Sequence, residues 1–174
     1  MKYLVNFFVV TFFLFFNNFS IAENKIAFVD MNKVLLVSDV GKYLENELNK
    51  THKLNIKNFE KTEKELKQKE EDVMSKRNIL KKEDFEAKII NLRKELKSYQ
   101  EDRKKKLNDI TNKRTNGLKI IFNSLQPILS TYSEENSITI MLDKKNILVG
   151  KSELDATDSI IEALNKKIKK IDLN

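Results

Sequence analysis

The fold is decided by a long charged segment in the middle of the chain, of which residues 58–80 read NFEKTEKELKQKEEDVMSKRNIL. Apolar residues return in this segment every seven positions, at Phe59, Leu66, Val73 and Leu80. A seven-residue apolar repeat is typical of a helix that packs along one seam against a second helix. Residues 42–114 contain neither Pro nor Gly, which would interrupt a helix. The segment therefore predicts a long helical arm and not a compact globule.

The apolar seam of this arm is thin, because the companion positions of the repeat carry Glu63, Glu70 and Arg77. The next apolar residue in the series after Leu80 is Phe85, a step of five that a continuous seam does not take. We therefore predict a helical hairpin over residues 42–136, with its tip near residues 80–84 and with two weakly paired helices.

The two ends of the chain read as strands. Residues 25–31, KIAFVDM, are apolar and β-branched, and Asp30 and Asn32 are candidate caps for a helix that begins near Lys33. Residues 138–142 alternate in the pattern of a half-buried strand. Residues 147–149 are expected to form a return strand, and residues 155–158, DATD, to begin a final helix. The predicted fold class is α+β and mostly α, with a coiled-coil-like antiparallel hairpin that projects from a small β body. Residues 23–41 and 137–174 form this body within one domain, residues 23–174.

Three short strands rarely close a sheet within one chain, so we expect the body to be completed by oligomerisation. The residues that we expect to close a sheet shared between subunits are Ile26, Phe28, Ile138, Ile140 and Ile147.

The first 22 residues differ from the rest of the chain. Seven of the 11 Phe residues lie within the first 19 positions, Lys2 precedes an apolar run from Tyr3 to Phe16, and the small residues Ser20 and Ala22 suit a cleavage site. This pattern is typical of a secretory signal peptide over residues 1–22. The alternative is an uncleaved membrane anchor, but the run is shorter than the roughly 20 apolar residues that span a bilayer.

Composition excludes several classes of protein. The chain has no Cys, no Trp and one His, so disulfide scaffolds, cysteine nucleophiles and thiolate zinc sites are excluded. His52 alone makes a metal centre or a His-based triad improbable, and no Walker, GxGxxG or HExxH motif is present. We therefore expect no enzymatic activity, no metal and no cofactor. Export without cysteine suggests a bacterial envelope compartment.

Charge is concentrated on the arm, where residues 42–114 hold 22 basic and 15 acidic residues. This excess favours anionic partners, such as acidic unfolded chains or lipid headgroups, although a merely solvated helix face is the alternative. Nucleic acid is not expected for an exported chain in which aromatic residues are sparse on the arm. The candidate residues for anionic partners are Arg103, Lys104, Lys105, Lys106, Lys113 and Arg114.

Four features together resemble the Skp/OmpH family of periplasmic chaperones. These are the leader, the opening KIAFVDMNKVLLVSDVGKYLENEL, the NILKKEDFEAK stretch near the hairpin tip and the closing SITIMLDKKNILVGKSELDATDSIIEALN. The resemblance implies a homotrimer with a shared β body and helical arms around a cavity. It also implies an ATP-independent holdase in the periplasm that binds unfolded outer membrane proteins and keeps them soluble for delivery to the outer membrane.

A chaperone of this kind needs exposed apolar residues on its arms. Our candidates for client contact are the thinly paired residues Phe59, Leu66, Val73, Leu80, Phe85 and Ile89, for which simple packing within the arm is the alternative. A different reading of the whole chain is a structural coiled-coil spacer or adaptor in the bacterial envelope, in which the arm would be rigid and its seam fully buried.

The leader assignment gives the first prediction. When the full chain is expressed in an exporting bacterium, the exported form should begin at Glu23, because the small residues before it suit signal peptidase. Intact-mass spectrometry of the purified protein checks this. Retention of Met1 or Lys2 in the exported form would refute the cleaved signal.

Overall fold

The computed structural model describes residues 25–173, so the predicted signal peptide lies outside the described residues. Strand β1 spans Lys25–Val29 and β2 spans Ile138–Asp143, and the helices are α1, Met31–Val37, α2, Asp39–Ser75, α3, Lys82–Glu135, and α4, Thr157–Lys167. Short 3-10 turns at Lys144–Asn146 and Ser152–Leu154 link β2 to α4. The predicted mostly helical α+β class with a small strand body and a long hairpin is confirmed.

The two strands pair in parallel, with Ile26 opposite Ile140 and Phe28 opposite Leu142. Parallel neighbours cannot be joined by a tight turn, because the chain must travel back before the second strand begins. The connection in this protein is α1 followed by the entire hairpin of α2 and α3. The arm is therefore the crossover of the body, and both of its helices are rooted beside the same two strands.

A sharp corner joins β1 to the arm. Asp30 caps α1 by accepting a hydrogen bond from the Lys33 amide at 2.9 Å, and buried Ser38 caps α2 by accepting one from the Gly41 amide at 3.2 Å. A Cβ atom at Gly41 would lie only 1.8 Å from the Leu35 carbonyl oxygen, so the corner between α1 and α2 requires glycine. The sequence named Asp30 as a cap correctly, although α1 begins two residues before the expected Lys33.

The hairpin tip lies slightly earlier than residues 80–84. Helix α2 ends at Ser75, and the Lys76 amide that follows it donates a hydrogen bond to the Val73 carbonyl at 3.2 Å. Residues 76–81 connect α2 to α3. Helix α3 begins at Lys82, with Glu83 and Asp84 in its first turn. The partly positive N-terminal end of the helix stabilises these two negative side chains.

The hydrophobic core lies where the root of the arm meets α4. It combines α1, the start of α2, the last third of α3 and α4, and its least exposed members are Val29, Val34, Val40, Leu44, Leu48, Ile121, Leu125, Ile160 and Leu164. The seam is denser near the body, where Ile121 and Leu125 are buried, and α3 runs through Pro127 to Glu135. The core thus anchors the arm at one end only.

The expected return strand at residues 147–149 is wrong for the described chain. After β2, Asp143 caps a 3-10 turn by accepting from the Lys145 amide at 3.2 Å, and Lys144 reaches across to Asp155 at 3.1 Å. These contacts carry the chain over β1 and away from the free edge of β2, so no hairpin forms. Leu148 and Val149 are left almost fully exposed, at 102% and 93%.

A hydrogen-bonded joint connects β1 to the start of α4. The Asp30 amide donates to the Thr157 hydroxyl at 2.9 Å, the Ala156 amide donates to the Phe28 carbonyl at 2.9 Å, and both the amide and the hydroxyl of Thr157 donate to Asp155. Partial burial acts to raise the pKa of Asp155, but these bonds and Lys144 outweigh it, so the pKa lies below its usual value. The carboxylate form of Asp155 therefore stabilises the fold.

This joint predicts a pH-dependent loss of stability. The pKa of Asp155 is lower in the folded protein than in the unfolded chain, where it is about 4. Asp155 therefore stabilises the fold fully above that pH, and this contribution to the free energy of unfolding is lost as the pH falls below it. The Asp155→Asn variant should be about 1–2 kcal/mol less stable than wild type at pH 7, and the gap should shrink below about pH 4. Urea unfolding at several pH values measures the gap. The exposed Asp109→Asn control should show none.

Candidate functional site

The arm consists of two antiparallel helices of unequal length. Helix α2 has 37 residues and α3 has 54, so the two extend about 55 Å and about 80 Å at 1.5 Å per residue. The extra length of α3 lies at the root, where it packs against α4. Beyond the root the two helices contact mainly each other, which leaves most of the arm surface open to a binding partner.

A cluster in the middle of the arm fixes how the two helices align. We call it the mid-arm cluster: Phe59 and Glu63 on α2 and Tyr99, Arg103 and Lys106 on α3. The ring of Phe59 meets Tyr99 edge to face with centroids 6.2 Å apart, and the Arg103 guanidinium lies 5.4 Å from the Phe59 centroid. Glu63 pairs with Arg103 at 2.9 Å and accepts a hydrogen bond from the Tyr99 hydroxyl. Aromatic packing and ion pairing therefore join α2 to α3 at the same position along the arm.

The electrostatics of this cluster act on Tyr99. Desolvation, the hydrogen bond to Glu63 and the negative charge of Glu63 together raise the pKa of the Tyr99 phenol above its usual value. The phenol therefore remains a hydrogen-bond donor over the physiological range of pH. Glu63, which occupies a charged position of the predicted seam, is held by two partners from the opposite helix.

Two more ion pairs join the helices on either side of this cluster. Lys69 pairs with Glu95 at 2.6 Å towards the tip, and Arg114 pairs with Glu45 at 3.1 Å towards the root. The side chains involved are about half exposed, so each pair contributes at most about 1 kcal/mol. The pairing of the arm, which the sequence predicted to be weak, rests on a few apolar contacts and these polar bridges.

The structure separates the candidate client-contact residues into two groups. Phe59 and Val73 are buried between the helices, at 3% and 8% exposure, which favours packing within the arm over client contact for both residues. Leu66, Leu80, Phe85 and Ile89 are half-buried, and each keeps part of its side chain accessible.

An apolar groove of about 390 Å³ runs between the two helices on one side of the arm. Its apolar lining is Leu66, Met74, Ile89, Leu92, Leu96 and Tyr99, and Glu63, Lys67, Glu70 and Arg93 form its charged rim. Met74 and Leu96 are 51% and 45% exposed. A second groove on the arm is lined by more charged residues, namely Glu65, Lys69, Asp72, Lys88 and Glu95, together with Val73 and Leu92 among others.

Sequence reasoning missed Met74 as a candidate because it followed the seven-residue repeat, and Met74 stands one position after Val73. The available signal was the spacing of Leu66, Glu70 and Met74, which places them on one flank of the helix beside the seam. Other exposed apolar side chains on the arm include Leu54, Ile56, Ile79, Ile90, Leu107 and Phe122.

The six basic candidates also fall into two groups. Arg103 and Lys106 contact the Phe59 ring, Lys106 pairs with Asp102 at 2.7 Å, and Arg114 pairs with Glu45, so these three act within the arm. Lys104, Lys105 and Lys113 form no ion pair with any described residue. The basic surface that remains available is therefore smaller than the sequence suggested.

One face of the two-stranded sheet is partly uncovered. Ile26 and Ile140 lie side by side at 43% and 49% exposure, and Leu142 is 40% exposed. Phe28 on the same face is 6% exposed, with its ring against Gly150 and the Lys144 ammonium 5.7 Å from the ring centroid. Ile138 and Ile147 are half-buried. The predicted body residues thus cluster, but Phe28 is already covered within its own chain.

Neither a metal site nor a membrane span is found among residues 25–173. No group of three or more His, Cys, Asp or Glu residues in this part of the chain is placed to hold a metal ion, and His52 is exposed. None of the helices in the same range combines the length and the apolar character that crossing a bilayer requires.

The fold defines a class of protein: a small α/β body whose crossover connection is a long helical hairpin with an open apolar groove. The family model described as outer membrane protein (OmpH-like) matches residues 25–164. The chain belongs to this OmpH-like family, which is a chaperone family and not a class of enzymes. This confirms the family resemblance seen in the sequence.

One curated protein and one solved structure are similar to this chain. The chain is 26% identical over 165 residues to the Skp-like protein of Chlamydia pneumoniae, an alignment that covers 92% of this chain and 95% of the relative. It also superimposes with a TM-score of 0.79 on a crystal structure from Caulobacter crescentus CB15, described as a proposed outer membrane chaperone (OmpH-like). That match has 14% sequence identity and covers 84% of this chain and 87% of the other, so it supports the fold.

The mid-arm cluster predicts a local effect on the arm. Replacing Phe59 by Ala removes a buried ring and should cost about 3–5 kcal/mol, with faster amide exchange in both helices at this level. Leu54→Ala on the same helix removes a side chain that is 56% exposed, and should change stability by less than about 0.5 kcal/mol. Hydrogen exchange with mass spectrometry compares the two. Equal exchange in both variants would show that the cluster does not hold the arm together.

Proposed function

We propose that this protein is an ATP-independent periplasmic holdase that binds unfolded outer membrane proteins and keeps them soluble for delivery to the outer membrane. The observation that carries the proposal is the apolar groove between the two helices of the arm, in which Met74 and Leu96 are about half exposed. Membership in the OmpH-like family supports a chaperone role, and the leader at residues 1–22 supports export to the periplasm.

The groove suits an extended apolar client. A strand of an outer membrane barrel carries apolar side chains at every second position, so an unfolded client offers many short apolar stretches of similar character. Met74 adds a flexible, polarisable side chain that adapts to different partners, and the groove is shallow and rimmed by charge. Such contacts are individually weak, which lets the client leave without any energy source.

Charge supports capture of the client at longer range. Lys104, Lys105 and Lys113 are free of ion pairs among the described residues, and the arm carries more basic than acidic residues. Acidic unfolded chains would be attracted over about 8 Å at physiological salt, and anionic lipid headgroups would be attracted in the same way. The basic surface therefore speeds the first encounter with an unfolded client, and the groove holds the client once it is bound.

We also propose a homotrimer. A lone two-stranded sheet is marginally stable in water, and this one leaves Ile26, Ile140 and Leu142 partly uncovered. The neighbouring loop adds Leu148 and Val149, which contact almost nothing in their own chain. A shared sheet would bury these residues and remove the open strand edges. Three arms rooted in one body would then enclose a client between their grooves.

A rigid spacer or adaptor in the envelope is the second candidate. The mid-arm cluster and the Lys69–Glu95 and Arg114–Glu45 pairs favour it, since they tie the two helices together along the arm. The open apolar groove argues against it, because a spacer gains nothing from exposed Met74 and Leu96.

The decisive experiment dilutes a urea-denatured β-barrel protein into buffer that contains the mature chain, residues 23–174. The wild type should suppress light scattering by the client at about one trimer per client. The double variant Met74→Ser/Leu96→Ser should lose most of this suppression, because it removes apolar side chains from the groove without touching the buried seam. The control Leu54→Ser changes an exposed apolar residue that does not line the groove, and should act like wild type.

Two results would contradict the proposal. Unchanged aggregation with excess wild-type protein would rule out a holdase and favour the spacer. Full suppression by the double variant would leave the holdase intact but would remove the groove as its client site. Circular dichroism and native mass of each variant establish that the arm and the assembly are preserved.

A further inference from the structure

The chain does not stop at the end of α4 but returns to the root of the arm. Residues 168–173, which we call the C-terminal strap, follow α4 in a conformation that is neither helix nor strand. The Ile168 amide still donates to the Leu164 carbonyl at 2.8 Å, after which the chain leaves the helix. The match to the family model ends at residue 164, so the strap lies beyond the part of the chain that defines the family.

The strap is seated by one buried side chain. Ile171 is 7% exposed and belongs to the main core cluster. A Cβ atom at Gly117 would lie 2.6 Å from a Leu44 methyl carbon and 3.2 Å from the Ile171 Cδ1 atom. Gly117 on α3 therefore leaves a notch that is filled by Leu44 from α2 and by Ile171 from the strap, so three separate segments meet at this point.

Other contacts extend the strap across both helices of the arm. The Lys170 ammonium lies 6.0 Å from the centroid of the Tyr43 ring on α2, and Leu173 packs against the core. A crevice beside the strap is lined by Tyr43, Glu47, Leu48 and Thr51 from α2 and by Lys113 from α3. The strap therefore contacts the two helices where they separate from the body and begin to run as a free pair.

We propose that the C-terminal strap is a clamp that holds α2 against α3 at the root of the arm, and that its release lets the root open. The notch at Gly117 is the reason, because the three atoms nearest to it belong to the side chains of Leu44 and Ile171. The strap is only six residues long and has no secondary structure, so it opens at lower cost than the core helices do. The C-terminal strap thereby controls how tightly α2 and α3 pair at the root of the arm.

The test measures amide exchange at the root of the arm in the mature protein without any client. Two variants release the strap: deletion of residues 168–174, and the single substitution Ile171→Ser. Both should exchange at least about tenfold faster than wild type at residues 44–51 and 113–118, while residues 73–89 at the tip are unchanged. Lys169→Ser is the matched control in the strap, because Lys169 is exposed, and it should match wild type.

Rescue separates a clamp from a general loss of stability. A synthetic peptide of residues 165–174, NKKIKKIDLN, added at millimolar concentration to the deletion variant should restore protection at the root, whereas the same peptide with Ser at position 171 should not. Unchanged exchange at the root in Ile171→Ser would overturn the proposal, and this holds even if the deletion variant fails to fold. The readout needs no client, so it is independent of whether the protein proves to be a holdase.

Discussion

The parallel pairing of β1 with β2 is the constraint on which the rest of the structure depends. The two strands stand at opposite ends of the sequence, and their parallel order requires a long crossover between them. In this chain the crossover is the arm, so α2 leaves the body and α3 returns to it beside the same sheet. A slip in the alignment of the two helices would displace Ile140 from Ile26 and disturb the sheet. The polar bridges of the arm, at Glu63, Lys69 and Arg114, therefore matter more for register than for free energy.

This arrangement divides the chain into a root that is packed and an arm that is not. Apolar residues are concentrated at Leu44, Leu48, Ile121 and Leu125, where α4 and the strap cover them. Along the arm the seam has few buried residues, and charged side chains surround the exposed apolar lining of the groove. A fully buried seam would have made a stiffer arm without exposed apolar surface for an unfolded chain to bind. The thin seam is therefore the feature that connects fold to the proposed function.

The sequence predicted the features that follow from periodicity and capping. The hairpin, the first strand, the strand at 138–143 and the Asp30 cap could all be read from apolar spacing and residue type. The return strand at 147–149 was wrong, because alternation of apolar residues does not reveal that Lys144 and Asp155 divert the chain. The roles of Phe59, Arg103 and Lys106 could not be predicted from the sequence either. They depend on which residues of α2 lie opposite which residues of α3. That alignment is set by the position of the tip, which the sequence placed a few residues too late.

We propose that the two-stranded body is incomplete in one chain and is completed by other copies. The most direct measurement is native mass spectrometry of residues 23–174 and of the Ile140→Asp variant at micromolar concentration. Ile140 is 49% exposed in the single chain, so aspartate there is tolerated by a monomer but would be buried without a partner in a shared sheet. The account predicts a mass of three chains for wild type and of one chain for the variant. A single-chain mass for wild type, or a stable trimer of the variant, would contradict it.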